Sequence, residues 1–186
     1  MIEQLHIDGV FLITPKKFGD DRGFFSETFS KKVLEQAGIT QEFVQDNQSL
    51  SVEQGVVRGL HFQTPPHAQD KLVRVTRGSI LDIAVDIRKG SKTFGQHVAV
   101  ELSAENWKQL LVPKGFAHGF CTLTPNTEVQ YKVTDYYAPE CDKGLAWDDA
   151  ALEIEWPITV SKAILSTKDM AHPTLKELPD YFTFSG

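Results

Sequence analysis

The sequence predicts an all-β protein, a sandwich or barrel of the jelly-roll type. Apolar and polar residues alternate along many short segments, and clusters rich in Gly, Pro and Asp separate these segments. Helical periodicity is scarce. Many short strands at close spacing with irregular turns are typical of closed or double-sheet β folds.

The predicted elements follow in chain order. Alternation in "SILDIAVDIR" places Leu81, Ile83, Val85 and Ile87 on one face and Asp82, Ala84 and Asp86 on the other, which predicts a half-buried strand. "HVAVELS" and "TEVQYKVTDYY" alternate likewise, and further strands are predicted at 5–14, 23–29, 42–50, 56–63, 71–77 and 107–112. Turn signals between them are "FGDDRG", "TPPHAQD", "RKGSKTFG" and "VPKGFAHG". One helix is predicted in "SKKVLEQAG", with Ser30 as its cap and Gly38 as its end, and a second short one near "STKDM".

Length and composition narrow the classes of protein. A chain of 186 residues suits one domain, and 41% hydrophobic with 24% charged residues is ordinary for a globular protein. No apolar run approaches the ~20 residues that cross a bilayer, so we expect no membrane contact and a cytoplasmic location. The net charge of −6 without a long basic cluster argues against a nucleic-acid partner. Cys121 and Cys141 are too isolated for a zinc ribbon or a disulfide framework.

Two histidines stand out because glycine lies close to each. They are His61 in "RGLHFQ" and His118 in "FAHGF", and glycine beside a strand histidine lets a backbone or a ligand approach. The other histidines are predicted on polar strand faces, in a loop or in the polar tail: His6, His97, His67 and His172. A hydrogen-bonded core histidine remains the commoner reading of His61 and His118.

The sequence argues against a metal at His61. Small β-barrels often bind metal with an HxH pair, a carboxylate and a later histidine, but Phe62 and Gln63 follow His61 here. The ammonium of Lys71 would also repel a cation. We therefore expect no metal.

Strand alternation favours a polar cavity over a purely apolar core. Tyr131 shares a face with Val129 and Val133, and Lys71 shares one with Val73 and Val75, so both polar groups point inward. An inward phenol and an inward ammonium are costly unless they meet a partner or a ligand.

Arg58 is out of phase with His61 on a regular strand. A bulge at Gly59 would bring both to one face; otherwise Arg58 is structural.

The chain resembles the dTDP-4-dehydrorhamnose 3,5-epimerase family. Seven ordered blocks over about residues 8–173 match it: "DDRGFFSETF", "FVQDNQS", "VVRGLHFQTPPHAQDKLVRV", "LDIAVDIRKGSKTFGQHVAVELSAEN", "VPKGFAHGF", "YKVTDYYAPECDKGLAWDD" and "LSTKD". The resemblance implies a cupin-like jelly roll (double-stranded β-helix) over 1–186 with a few short peripheral helices and a tail, 160–186, packed on the barrel. It also implies a homodimer that exchanges N-terminal strands and works without metal or organic cofactor.

The resemblance further implies an activity and a set of site residues. The substrate would be a dTDP-4-keto-6-deoxy sugar, epimerised by proton transfer at C3 and C5. His61 matches the family's base, Asp169 the carboxylate that orients it, Tyr131 the acid and Lys71 the cation near the C4 oxygen. Positions matching substrate contacts are Arg22, Glu27, Gln45, Asp46, Asn47, Arg58, Lys71, His118, Tyr137, Asp142 and Lys168.

Three positions depart from the family pattern. Gln48 stands where His is usual, Asp70 where Gly is usual and Asp142 where Glu is usual. The first two lie beside proposed ligand residues, so the resemblance leaves open a different nucleotide affinity or substrate choice. Three alternatives stay open from the sequence: an epimerase acting at one carbon only, a catalytically silent nucleotide-sugar-binding cupin, and a metal-dependent cupin. The missing HxH pair argues against the last.

Overall fold

The computed structural model describes residues 1–184, in which two antiparallel sheets face each other. Their strands are β1 Ile2–Gln4, β2 Phe11–Ile13, β5 Gln45–Ser51, β6 Val57–Gln63, β7 Lys71–Arg77, β8 Ser79–Asp86, β10 His97–Ser103, β11 Gln109–Val112, β12 Phe116–Thr122, β13 Thr127–Val133 and β14 Asp142–Gly144. The six-stranded sheet has the order β1-β2-β11-β7-β13-β5, and the five-stranded sheet has the order β10-β8-β12-β6-β14. This cupin-type jelly roll confirms the predicted all-β class.

Short elements surround the two sheets. An antiparallel hairpin consists of β3 Lys17–Asp20 and β4 Gly23–Ser26, and a parallel pair consists of β9 Arg88–Lys89 and β15 Phe182–Thr183. The α-helix α1 covers Lys31–Gln36, and 3-10 turns cover Pro139–Cys141, Ala150–Leu152, Val160–Lys162 and Asp169–Ala171. No helix within residues 1–184 has the length and apolar character needed to cross a bilayer.

The predicted α-helix is confirmed at both ends. It follows Ser30, although the Ser30 hydroxyl makes no capping hydrogen bond, and it buries Leu34. Gly38, just past the end, has φ +80°, a conformation that glycine adopts without steric cost. The predicted short helix near "STKDM" is the 3-10 turn Asp169–Ala171.

The main core lies between the two sheets. Val73 and Val75 of β7, with Val129 of β13, face Ile80 and Ala84 of β8 across it. Alternation along β7, β10 and β13 therefore predicted the inward faces correctly.

Strand β8 is buried on both faces, not on one as predicted. Its Ile83 and Val85 lie outside the barrel but pack beneath the C-terminal tail, against Trp156 and Leu175 among others. The opposite face, with Asp82, belongs to the barrel interior. Alternation found the two faces, but it could not show that the chain's own tail covers the outer one.

One predicted turn is wrong. "VPKGFAHG" contains the start of β12, a fully buried central strand paired with both β6 and β8. Gly115 supports the turn with φ +84°, but the strand begins at the next residue, Phe116. Burial on both faces removed the alternation that marks a strand in sequence.

Candidate active site

A cavity of about 650 Å³ opens between the two sheets at one end of the barrel. Strands β6 and β12 contribute one wall, β5, β7 and β13 contribute the other, and residues 164–169 of the tail lie at its side. The predicted site residues that line it are Arg58, His61, Lys71, His118, Tyr131, Lys168 and Asp169.

His61 and Asp169 form a hydrogen-bonded pair in this cavity. The Nε2 atom of His61 lies 2.5 Å from Oδ1 of Asp169, and the carboxylate is buried while the imidazole is 32% exposed. Burial alone would raise the pKa of the Asp169 carboxyl. The hydrogen bond and the charge of His61 together have the larger, opposite effect, so the pKa lies below its usual value. The Asp169 backbone N–H donates to the Ser166 hydroxyl at 3.2 Å. An ionised, anchored carboxylate thus fixes one edge of the His61 ring.

Arg58 and His61 line the same cavity because β6 contains a bulge. His61 pairs with His118 and Arg58 pairs with Phe120, so three steps along β6 match two along β12. Gly59 lies within this irregularity with φ +125°, and a Cβ there would lie 2.6 Å from the Cα of Gly119. The bulge resolves the phase difference that the sequence left open.

Lys71 and Tyr131 reach the cavity from the six-stranded sheet, opposite His61. The Lys71 ammonium donates to the carbonyl oxygen of His61 at 3.2 Å. Burial lowers the pKa of Lys71 to about 8, although the carboxylates of Asp82 and Asp142 act against it. Burial raises the pKa of the Tyr131 phenol, with Arg58 opposing the shift. The inward orientation predicted for both side chains is confirmed.

His118 has a buried acidic partner that the sequence reasoning missed. Its Nε2 lies 2.8 Å from Oδ1 of Asp82, a fully buried carboxylate whose Oδ2 has no hydrogen-bond partner within residues 1–184. Alternation predicts Asp82 on the polar face of a half-buried strand, but that face is the barrel interior. Asp86, on the same face of β8, is also buried. Its carboxylate accepts hydrogen bonds from Arg88, Ser91 and Thr93, so its burial is explained by these structural partners.

Asp142, at the edge of the five-stranded sheet, accepts hydrogen bonds from two other predicted ligand residues. Tyr137 donates its hydroxyl proton to Oδ2 of Asp142 at 2.9 Å, and Lys168 donates to the same oxygen at 2.5 Å. Burial raises the pKa of Asp142, but these two bonds lower it on balance. The Tyr137 ring is 60% exposed, as an open stacking platform would be.

The β5 residues split between two faces of the sheet. Gln45 and Asn47 face the barrel interior and bond to each other at 2.8 Å. Asp46 faces outward and binds Lys132 at 2.7 Å. The structure therefore does not bring Asp46 into the cavity.

Arg22 and Glu27 also lie outside the cavity of their own chain. Arg22 sits in the β3–β4 turn, 89% exposed, and binds Asp20. Glu27 lines a separate groove beside α1.

Two departures from the family pattern point away from the cavity. Asp70 is buried and accepts hydrogen bonds from the Lys114 backbone N–H at 3.1 Å and the Thr134 hydroxyl at 3.0 Å. Gln48 lies on the outer sheet face, where its carbonyl oxygen accepts from Gln130 at 3.0 Å. Both have structural partners in place of ligand contacts.

His172 lies in the tail as predicted, but its side chain packs beside His61. Its side chain is 9% exposed, its ring lies 5.5 Å from that of His61 at 83°, and its Nε2 lies 3.6 Å from Oδ1 of Asp169. Gly144 pairs with His61 across β6 and β14, and a Cβ there would lie 2.3 Å from Nε2 of His172. The spacing of three residues from Asp169, one helical turn, is the signal that could have revealed it.

The fold and the cavity define a cupin-type jelly-roll enzyme with groups suited to proton transfer. The sequence model of the dTDP-4-dehydrorhamnose 3,5-epimerase family matches residues 4–177. The chain belongs to that family.

Individual relatives agree with this assignment. The dTDP-4-dehydrorhamnose 3,5-epimerase of Sinorhizobium fredii is 53% identical over 182 residues, covering 98% of this chain and 93% of the relative. The crystal structure of the Legionella pneumophila dTDP-6-deoxy-D-glucose-3,5-epimerase, in complex with dTDP-4-keto-L-rhamnose, has a TM-score of 0.95 and 46% identity over 100% of this chain and 99% of the other. That of the Bacillus anthracis dTDP-4-dehydrorhamnose 3,5-epimerase, with TDP and PPi bound, has a TM-score of 0.91 and 53% identity over 94% and 98%.

Proposed function

We propose that this protein converts dTDP-4-dehydro-6-deoxy-D-glucose to dTDP-4-dehydro-L-rhamnose by inverting C3 and C5, a step of dTDP-L-rhamnose biosynthesis. The C4 ketone of such a sugar acidifies the protons on both neighbouring carbons. A base removes each proton to give an enolate, and an acid on the other side of the ring returns one to the opposite face. One observation supports this reaction above all: a His–Asp pair and a tyrosine line one cavity from opposite sheets.

His61 is the proposed base. Its Nε2 faces Asp169, which leaves Nδ1 as the ring nitrogen available to a substrate proton. Asp169 holds the ring in one orientation and stabilises the imidazolium that forms. Its lowered pKa keeps the carboxylate ionised for that role.

Tyr131 is the proposed acid and Lys71 the proposed electrophile. The raised pKa of Tyr131 keeps the phenol protonated until the enolate takes its proton. The Lys71 ammonium, held near the His61 backbone, is placed to meet the negative charge that grows on the C4 oxygen. Each inversion leaves an imidazolium and a phenolate, which exchange protons with water before the next.

The remaining predicted ligand residues are proposed to hold the nucleotide and the sugar. Arg58 and His118 lie in the cavity beside the base and suit the diphosphate and the sugar hydroxyls. Tyr137 offers an exposed ring for stacking on thymine, steadied by Asp142 and Lys168. Gln45 and Asn47, which face the barrel interior, are the proposed contacts on β5, and Asp46 is left out because it faces outward.

We further propose a homodimer that shares its sites. Arg22 and Glu27 do not reach their own cavity, and the β3–β4 hairpin exposes Phe18, Phe24 and Phe25. A second copy that covers this hairpin would bury these rings and bring Arg22 toward the partner's nucleotide. A cytoplasmic location stays part of this proposal and is checked by cell fractionation.

Deuterium incorporation tests the reaction. The purified protein is incubated with the 4-keto sugar in deuterated water, and the product is analysed by proton NMR. Labels at both C3 and C5 are expected. A label at one carbon would identify a single-carbon epimerase, and retention of both protons would leave only a nucleotide-sugar-binding role.

A further inference from the structure

His61, Asp169 and His172 place three metal-binding donor atoms together beside the cavity. The nitrogen atoms of the two imidazoles and a carboxylate oxygen all lie within 4.8 Å of one another. Two imidazoles and one carboxylate are a donor set that zinc accepts in proteins. The sequence search for an HxH pair could not find this set, because its members lie on β6 and in the tail.

His172 is the unexplained member of the cluster. Its Nε2 is buried and has no hydrogen-bond partner within residues 1–184, and its side chain is more than nine-tenths buried. Gly144 leaves the space in which the ring lies, directly across the sheet from His61.

The spacing suits a small divalent ion after modest adjustment. Zinc binds histidine nitrogen and carboxylate oxygen at about 2.0–2.2 Å, so its donors lie roughly 3.3 Å apart in a tetrahedral site. Here Oδ1 of Asp169 lies 2.5 Å from Nε2 of His61 and 3.6 Å from Nε2 of His172. The ion would widen the first gap and narrow the second. His61 remains 32% exposed, so water can supply the fourth ligand.

The nearby cations offer limited opposition. Lys168 forms an ion pair with Asp142, and the Lys71 ammonium donates to the carbonyl oxygen of His61.

We propose that His61, Asp169 and His172 form an inhibitory site for Zn²⁺, in which the ion binds Nε2 of His61, separates it from Asp169 and leaves the proton of the imidazole on Nδ1, the nitrogen that would otherwise act as the base. Metal binding itself does not depend on the proposed function. The loss of activity does, because it follows only if His61 is the base.

Zinc binding is measured first, on metal-free protein, by competition with a chromogenic zinc indicator. One equivalent is expected to bind, more weakly at pH 5.5 than at pH 7.5 because protons compete for the imidazoles. His172→Asn and His172→Phe should each weaken binding by at least about tenfold. His97→Asn, which alters a histidine outside the cavity, should not. Absence of stoichiometric binding, or binding that both His172 variants retain in full, would overturn the proposal.

Epimerase activity is then measured against zinc occupancy. The wild type should lose activity in proportion to bound zinc and recover it with a chelator, while His172→Asn stays active at the same zinc concentration. If zinc binds with the expected dependence on His172 but activity persists, the metal site stands but does not inhibit, and the assignment of His61 as base fails. If His61→Ala is inactive but zinc does not bind, the base stands and the metal site fails.

Discussion

The imidazole of His61 and the carboxylate of Asp169 meet at 2.5 Å although 108 residues separate them along the chain. Strand β6 supplies the histidine, and a 3-10 turn in the C-terminal tail supplies the carboxylate. The tail therefore contributes to the proposed chemistry as well as covering β8.

Removing either member of this pair should stop turnover without preventing nucleotide binding. We expect His61→Ala to lower kcat by about a thousandfold or more and Asp169→Asn by roughly a hundredfold or more, because the base is lost or is held in the wrong tautomer. Affinity for dTDP, measured calorimetrically, should change little. A His61→Ala protein that keeps most of its activity would contradict the assigned base. His67→Ala is the matched control.

Tyr131→Phe should separate proton removal from proton return. The ring still packs in the core, but no hydroxyl remains to protonate the enolate. We expect net epimerisation to fall by about a hundredfold or more, while substrate recovered from deuterated water still carries label. Mass spectrometry of recovered substrate and of product measures the two rates. Equal losses of exchange and of product formation would argue against this division of roles.

Lys71→Met should lower activity and raise stability. At pH 7 the wild type holds a buried ammonium whose pKa is lowered to about 8, so removing the charge should raise the free energy of unfolding by about 1–3 kcal/mol. Between pH 8 and 10.5 the folded wild type has lost this proton while the unfolded chain still binds it, so the wild type becomes more stable as the pH rises. The stability advantage of Lys71→Met should therefore shrink over this range. Urea unfolding at pH 7 and pH 10 checks this.

The exposed Lys92→Met is the control and should show neither effect. For the wild type, kcat/KM should fall as the pH rises through about 8, because Lys71 then loses its charge. A variant that is less stable at pH 7, or a rate that rises above pH 8, would contradict the role given to this lysine.

Mixing two inactive variants tests the shared site. Arg22→Ala and His61→Ala are unfolded together, refolded as a mixture and assayed. If Arg22 completes the partner's site, each heterodimer holds one intact site, and about one quarter of the wild-type rate should return. If each chain completes its own site, the mixture should be no more active than the two variants alone.

Asp70→Ala should reduce stability and leave catalysis unchanged. The carboxylate satisfies the Lys114 N–H and the Thr134 hydroxyl in a buried position, so its loss should cost about 1–3 kcal/mol. Thermal unfolding measures the cost, with the exposed Asp180→Ala as control. A changed KM for the nucleotide sugar with unaltered stability would instead place Asp70 in ligand binding.

Several features could be predicted from the sequence because their physical signals are local. Alternation placed Lys71 and Tyr131 inside the barrel, since side chains on a strand point to opposite faces in turn. Ser30 and Gly38 marked the ends of the helix. The resemblance to the family predicted the pairing of His61 with Asp169, which no local pattern contains.

Tertiary structure decided what depends on distant contacts. Alternation placed Asp82 on the polar face of a half-buried strand, but Asp82 faces the interior because the tail covers the other side of β8. The side chain of His172, a tail residue, fills the space beside Gly144. The bulge at Gly59 set the phase of Arg58 relative to His61. The sequence alone determined which residues alternate and marked most of the turns, because these are properties of neighbouring residues. Which face is buried depends on what packs against it, and here that element lies about 70 to 100 residues farther along the chain.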